Sequence, residues 1–378
     1  MQTNKTIIPA QTIGIIGGGQ LGRMMAMEAR YMGYKIAVLD PTPNCPTAQV
    51  ADVQITAPYN DMDGIKQLTD ISDVITYEFE NVDLEAATYI ESKGKLPQGA
   101  YALEVTQNRE KEKTLMRNLN LPTPKFAIVT NAEVCKKALE DFTYPTVIKT
   151  CRGGYDGKGQ LKLNSEADLE EALAFVEKNG HCMIEEWIPF DKEISVIFTR
   201  SASGDMTYFP ISENEHRDHI LYKTTVPANI EVELQIKANE AARVLAEDMN
   251  IVGTFAIEMF VKGNEIYLNE MAPRPHNSGH YTIEACNISQ FGQHIRAICG
   301  LPLFEIKQWK QACMINILGE DMEFVLKSIP HHHTGFIHLY GKEEAKEKRK
   351  MGHITFIGNT LEEVWTQIHK FEDLKTIT

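Results

Sequence analysis

The start of the chain narrows the possible folds most. An apolar run, Thr12–Ile16, meets Gly17-x-Gly19-x-x-Gly22, and helical spacing over Gln20–Tyr31 follows at once. A second apolar run, Lys35–Leu39, ends at Asp40, and Val74–Tyr77 reads as a third or fourth strand. Strands alternating with helices of this length imply a parallel sheet covered on both faces. In that setting the glycines are also a dinucleotide fingerprint. They allow close approach of a pyrophosphate, and the acid after the second strand takes a ribose hydroxyl. A plain tight turn needs the same glycines, so the motif alone leaves both readings open.

Beyond a boundary marked by Gly94, Pro97 and Gly99, a charged helix starting at Thr106 stops at Pro122 and Pro124. The β-branched run Pro145–Thr150 leads into a second glycine-rich stretch, Gly153–Gly159. Helical spacing returns over Ser165–Lys178, opened by a Ser165/Asp168 capping pattern, and again over Glu231–Met249. Two strands, Thr254–Val261 and Glu265–Asn269, flank the turn Lys262-Gly263-Asn264. Short strands and a terminal helix, Thr360–Phe371, complete the chain.

The second glycine stretch carries charge as well as freedom. Lys149 ends the preceding strand, and Arg152, Asp156 and Lys158 lie among the glycines. Loop amides wrapping a polyphosphate, with lysines beside them, fit this pattern. It is not a Walker A loop, because no Gly-Lys-Ser/Thr opens a helix. Glu185-Glu186-Trp187-Ile188 ends another strand, where backbone groups and an apolar wall can read an adenine edge. Glu258 interrupts an apolar strand, and Glu270 follows on the next, beside Asn269. If the turn pairs these strands, the two carboxylates face one site and suit Mg²⁺, which takes one or two carboxylates completed by water and phosphate oxygens.

Composition excludes several classes. The 378 residues carry 38 Lys+Arg against 52 Asp+Glu, a net charge of −14, so no basic footprint exists for nucleic acid or an anionic membrane. No apolar run reaches the ~18–20 residues of a membrane span, and the N-terminus lacks the h-region of a signal peptide. Seven scattered cysteines without a C-x-x-C pair speak against zinc or a disulfide framework and for a reducing cytoplasm. His331, His332 and His333 are adjacent, so their side chains diverge rather than converge on one ion. A charge of −14 sits awkwardly with collecting anions, yet Phe142–Gln160 and Tyr340–Lys350 are each locally basic. This places the acidic excess on the solvated exterior.

Taken together, GGGQLGRM (Gly17–Met24), GGYDGKGQ (Gly153–Gln160), MAPRPHNSGH (Met271–His280), Ser289-Gln290-Phe291 and YGKEEAKEKRKMGH (Tyr340–His353) resemble the ATP-grasp superfamily. Within it, the chain is similar to the 5-(carboxyamino)imidazole ribonucleotide synthase family over nearly its whole length. The resemblance implies an α/β and α+β architecture. A Rossmann-like domain over 1–98 would precede an ATP-grasp domain over 99–300 and a small mixed, β-rich C-terminal domain over 301–378. It implies that Arg109 and Lys149 contact ATP phosphates beneath a lid containing Gly154, Tyr155, Gly157, Gly159 and Gln160. Glu185, Glu186, Trp187 and Ile188 would hold adenine, Glu193 the ribose, and His216 and Asn269 would lie at the nucleotide. Glu258 and Glu270 would bind Mg²⁺. Aminoimidazole ribonucleotide would meet Gln20, Leu21, Tyr155, Asp156, Arg274, His276 and Asn277, with Lys342 and Arg349 at its phosphate. Asp156, Lys158, Arg274 and His276 would serve the chemistry, with Lys158 standing where many relatives carry arginine. Bicarbonate is the implied third substrate, and a homodimer the implied assembly. The competing readings are another ATP-grasp ligase, a nicotinamide-dependent oxidoreductase on the Gly17–Gly22 turn, and a non-catalytic nucleotide-binding module.

Overall fold

The computed structural model describes residues 6–154, 158–331 and 333–374. Three sheets organise them. The first holds four parallel strands in the order Val53–Ile55, Lys35–Leu39, Thr12–Ile16, Val74–Tyr77. Their apolar residues are almost entirely buried, as expected when helices cover both faces. The helix Gln20–Tyr31 has the expected bounds, and it packs Leu21, Met25 and Ala29 against Ile13 and Ile15.

A second, antiparallel sheet orders Phe126–Val129, Cys182–Glu186, Thr146–Thr150 and Gln160–Leu163. The helix Leu169–Asn179 buries Ala172 and Val176 against it, and the Ser165/Asp168 capping box is present. The charged helix begins later than the sequence implied, at Arg109, because Asn108 caps it by accepting from the amides of Glu110 and Lys111. A separate short helix, Tyr101–Thr106, precedes it.

The third sheet has nine strands. Lys192–Arg200 is central, flanked by Gly253–Lys262 and then Glu265–Ala272 on one side. On the other side come Ser212–Arg217, Ile220–Val226 and then Gln311–Leu318, Lys350–Gly358 and Phe336–Leu339, while the short ninth strand, Met206–Tyr208, pairs with the end of Lys192–Arg200. The C-terminal strands therefore extend the central sheet by pairing with Ile220–Val226, instead of closing a sheet of their own. This pairing satisfies what would otherwise be an exposed edge.

His294 stitches the first and third sheets together. Its Nδ1 accepts the Thr254 amide at 3.0 Å, and its Nε2 lies 2.9 Å from the Thr76 hydroxyl. Among the described residues no helix is long and apolar enough to cross a membrane.

Candidate active site

The glycine turn at Gly17–Gly22 is already filled. Gly17 has φ +100°, which only glycine adopts without strain. The amides of Gly19 and Gly22 both donate to the Glu78 carboxylate, the latter at 2.7 Å. The Gly18 amide donates to Asp40 at 2.7 Å, and the Tyr59 hydroxyl donates to the same Asp40 oxygen at 2.6 Å. Internal carboxylates thus occupy both the place of a pyrophosphate and the acid that would hold a ribose. The oxidoreductase reading loses its anchor here.

The large cleft, about 1070 Å³, opens between the second and third sheets and reaches the start of the helix Gln20–Tyr31. Its lining includes Gln20, Leu21, Arg109, Lys149, Gly154, Lys158, Gly159, Gln160, Glu185, Glu186, Trp187 and Ile188. Glu193, His216, Glu258, Asn269, Glu270, Arg274, His276 and Asn277 complete the expected set. Tyr155, Asp156 and Gly157 lie outside the described residues. Lys342 and Arg349 do not line the cleft, whereas Lys350 does. Lys342 donates to the Lys350 carbonyl at 2.7 Å, and burial, with Arg349 adding to it, pulls its pKa down to about 8. Arg349 is exposed and donates to the Glu344 carbonyl.

At the floor of the cleft, Glu258 stands opposite Glu270 in the strand register. An unbroken hairpin closed by Lys262 and Glu265 would instead set Glu258 opposite Asn269. A bulge advances the register by one residue, so Asn269 and Glu270, though neighbours, both line the cleft. Burial, then the Glu270 charge, raises the Glu258 pKa. The buried Asn269 Oδ1 has no hydrogen-bond partner. Two facing carboxylates and an unpartnered amide oxygen are hard donors, and this set fits Mg²⁺. Among the described residues no group of three or more His, Cys, Asp or Glu side chains is placed to hold a metal ion.

Carboxylates also hold the cations. Arg109 lies 3.5 Å from Glu270. Arg274 places Nε and Nη2 on one Glu80 oxygen at 2.7 and 2.6 Å. Glu185 binds both Lys149 and Lys113. Burial would raise the Glu185 pKa, but these two lysines hold it down to about 2. His216 Nδ1 sits 2.6 Å from Glu193; burial opposes its charge, yet that partner raises its pKa overall. Burial and the charge of Arg274 keep His276 neutral. Its backbone is clamped by Gln290, whose carboxamide accepts the His276 amide at 2.9 Å and donates to its carbonyl at 2.6 Å. Glu80, Lys113 and Gln290 were not assigned site roles from the sequence. Glu80 and Arg274 are 194 residues apart, so nothing local pairs them.

Family comparisons agree with this layout. Residues 10–107 match a ribonucleotide synthetase preATP-grasp domain, 114–291 an ATP-grasp domain, and 312–367 a phosphoribosylaminoimidazole carboxylase C-terminal domain. The N5-carboxyaminoimidazole ribonucleotide synthase of Bacillus subtilis (strain 168) is 47% identical over 366 residues, 97% of this chain and 96% of that protein. The chain belongs to the N5-carboxyaminoimidazole ribonucleotide synthase family. Solved structures of the family superpose closely. A synthetase in complex with ADP has TM-score 0.94 at 51% identity, covering 98% of both chains. The Aspergillus clavatus synthase, solved with ADP and 5-aminoimidazole ribonucleotide, has TM-score 0.89 at 32% identity, covering 98% of this chain and 99% of that one.

Proposed function

We propose that this chain is an ATP-dependent carbon–nitrogen ligase that carboxylates 5-aminoimidazole ribonucleotide with bicarbonate, in de novo purine synthesis. One observation carries the reading. A single cleft gathers the phosphate-type cations, the hinge Glu185–Ile188, the Glu258/Glu270 pair and the Arg274–Asn277 loop, in a chain related to these synthases over its full length.

Bicarbonate attacks the γ-phosphorus of ATP, giving carboxyphosphate and ADP. The amine of the ribonucleotide then takes the carboxyl group, or CO₂ released from carboxyphosphate, and phosphate leaves. Such transfers need positioning and charge neutralisation more than a protein nucleophile. Arg109, Lys149 and Lys158 supply positive charge along the phosphates, Glu185–Ile188 hold adenine, Glu193 holds the ribose, and His216 lies near the nucleotide. Glu258, Glu270 and Asn269 would hold Mg²⁺, which when bound would neutralise phosphate charge. Gln20, Leu21, Arg274, His276 and Asn277 orient the ribonucleotide, and Lys342 and Arg349, which lie beside the cleft residue Lys350 and not on the cleft wall, would have to reach in to its phosphate. Tyr155 and Asp156 would act from the glycine loop, which shields the labile acyl phosphate from water.

The same reading includes a homodimer, domain boundaries near 98/99 and 300/301, and a cytoplasmic location. Seven buried, unpaired cysteines support the last. The deciding experiment is phosphate release from MgATP with and without ribonucleotide and bicarbonate. Release that ignores the ribonucleotide would defeat the assignment, and light scattering checks the dimer.

A further inference from the structure

We infer that Lys113 is a positioning residue for nucleotide binding: a fixed internal cation that keeps Glu185 paired and so frees Lys149 to engage a phosphate. The inference rests on reading the cleft as a nucleotide site. Lys113 lies one turn along the helix Arg109–Asn118 from Arg109, which enters the cleft, but its own side chain is wholly buried. An ammonium has three donors, and three acceptors surround this one. Glu185 Oε1 lies at 2.8 Å, the Leu268 carbonyl at 2.9 Å and the Thr123 hydroxyl at 3.1 Å. The latter two are hydrogen bonds and the first is a close ion pair, so the cation is held from three sides.

Lys149 differs in each respect. It comes from the strand Thr146–Thr150, lines the cleft, keeps 12% of its side chain exposed and binds the other Glu185 oxygen. One buried carboxylate therefore serves two cations, one locked inside and one at the wall. When Lys149 turns to a phosphate, Glu185 keeps Lys113. Without Lys113, every phosphate contact by Lys149 would strip a buried carboxylate of its remaining partner, a far costlier exchange. Lys113 also ties the hinge strand to Leu268, the residue before the bulged pair Asn269–Glu270. The two halves of the nucleotide site are thus held on one internal charge.

The test compares Lys113→Met, Glu185→Gln and the double variant with the wild-type protein. Calorimetry gives the MgADP dissociation constant, and phosphate release gives KM for ATP and for the ribonucleotide. Lys113→Met should weaken MgADP and raise the ATP KM by roughly tenfold or more, because it leaves a buried charge uncompensated. The ribonucleotide KM should stay within about twofold, the range for independent sites. Measured against Glu185→Gln alone, whose neutral amide needs no counter-ion, adding Lys113→Met should change MgADP affinity little. The double variant has neither buried charge and keeps the test open if Lys113→Met does not fold. The inference is overturned by a folded Lys113→Met with unchanged MgADP affinity, by a parallel rise in the ribonucleotide KM, or by a double variant about tenfold weaker in MgADP than Glu185→Gln alone. A wild-type protein that binds MgADP yet ignores the ribonucleotide would overturn the carboxylation reading alone, and MgADP binding would still decide the role of Lys113.

Discussion

Replacing Asn269 with leucine should make the ligand-free protein more stable and the nucleotide complex weaker. The bulge brings Glu270 into the cleft beside Asn269, and the Asn269 Oδ1 is buried there without a partner. Leaving a buried polar group unsatisfied costs about 1–3 kcal/mol, while replacing it with an apolar group of similar shape removes that cost. Asn269→Leu should therefore gain about 1 kcal/mol in the free protein, after allowing for imperfect packing of a branched side chain. The same oxygen, used as a metal or nucleotide ligand, makes a charge-assisted contact worth about 1.5–3 kcal/mol. Its loss should weaken MgADP by at least ~10-fold. Urea unfolding without ligand and calorimetry with MgADP measure the two effects on one preparation. A variant less stable than wild type, with MgADP affinity intact, would refute the assignment of Asn269 as a ligand held at a cost to the fold.

Other outcomes follow from the same geometry. Glu270→Ala should abolish ATP turnover, and near-normal phosphate release would sink the Mg²⁺ assignment. Arg349→Ala should raise the ribonucleotide KM and leave that for ATP; an unchanged ribonucleotide KM would remove Arg349 from the phosphate clamp. Gly19→Ala places a Cβ 2.6 Å from Glu78 Oε1, so it should displace that carboxylate and lower the urea midpoint by an amount worth about 1–3 kcal/mol. Burial holds the folded pKa of His294 down at about 3 and those of His280 and His353 well below the usual range. At these three sites the unfolded chain binds more protons across that window, so they should cost stability as pH drops from about 6.5 toward 3, while the buried Glu112 and Glu258 carboxyls, raised to about 8, act in the opposite direction. Urea midpoints of wild type and His294→Asn between pH 7 and pH 5 isolate the histidine contribution, and parallel pH profiles would contradict this.

Local patterns were legible in the sequence because local forces set them. The helix Gln20–Tyr31, the strands around it and the Ser165/Asp168 cap follow from apolar spacing and short-range hydrogen bonds. So does the pairing of the strands that bear Glu258 and Glu270. The turn at Lys262–Glu265 brings them together, but the bulge that sets Glu270 opposite Glu258 leaves no periodic trace. The glycine fingerprint shows the other limit. Its backbone is as the motif implies, yet what fills it, Glu78, follows the neighbouring strand Val74–Tyr77 and is 59 residues from Gly19 in the chain. The joining of the Gln311–Leu318 strand to Ile220–Val226 is likewise a long-range pairing that neither segment encodes alone. Short-range chemistry could propose these sites, while their occupants depended on partners distant in sequence.

The acidic charge of the chain changes meaning in this light. A net −14 looked like a property of the solvated exterior, with a few basic residues left to collect anions. In the cleft, however, Arg109 has Glu270, Lys149 has Glu185, Arg274 has Glu80 and His216 has Glu193. These carboxylates are placed among the cations, where they fix side chains that would otherwise lose about 2 kcal/mol of rotamer freedom on meeting a ligand. On the proposed function, binding an anionic substrate would be an exchange of partners: a phosphate or carboxyl oxygen would replace a protein carboxylate at a cation already in position. An exchange requires that the released carboxylate find another partner. Glu185 would keep Lys113, and Glu270 would take the divalent cation proposed for it. Anion binding by this acidic protein would then depend on those second partners as much as on the cations themselves.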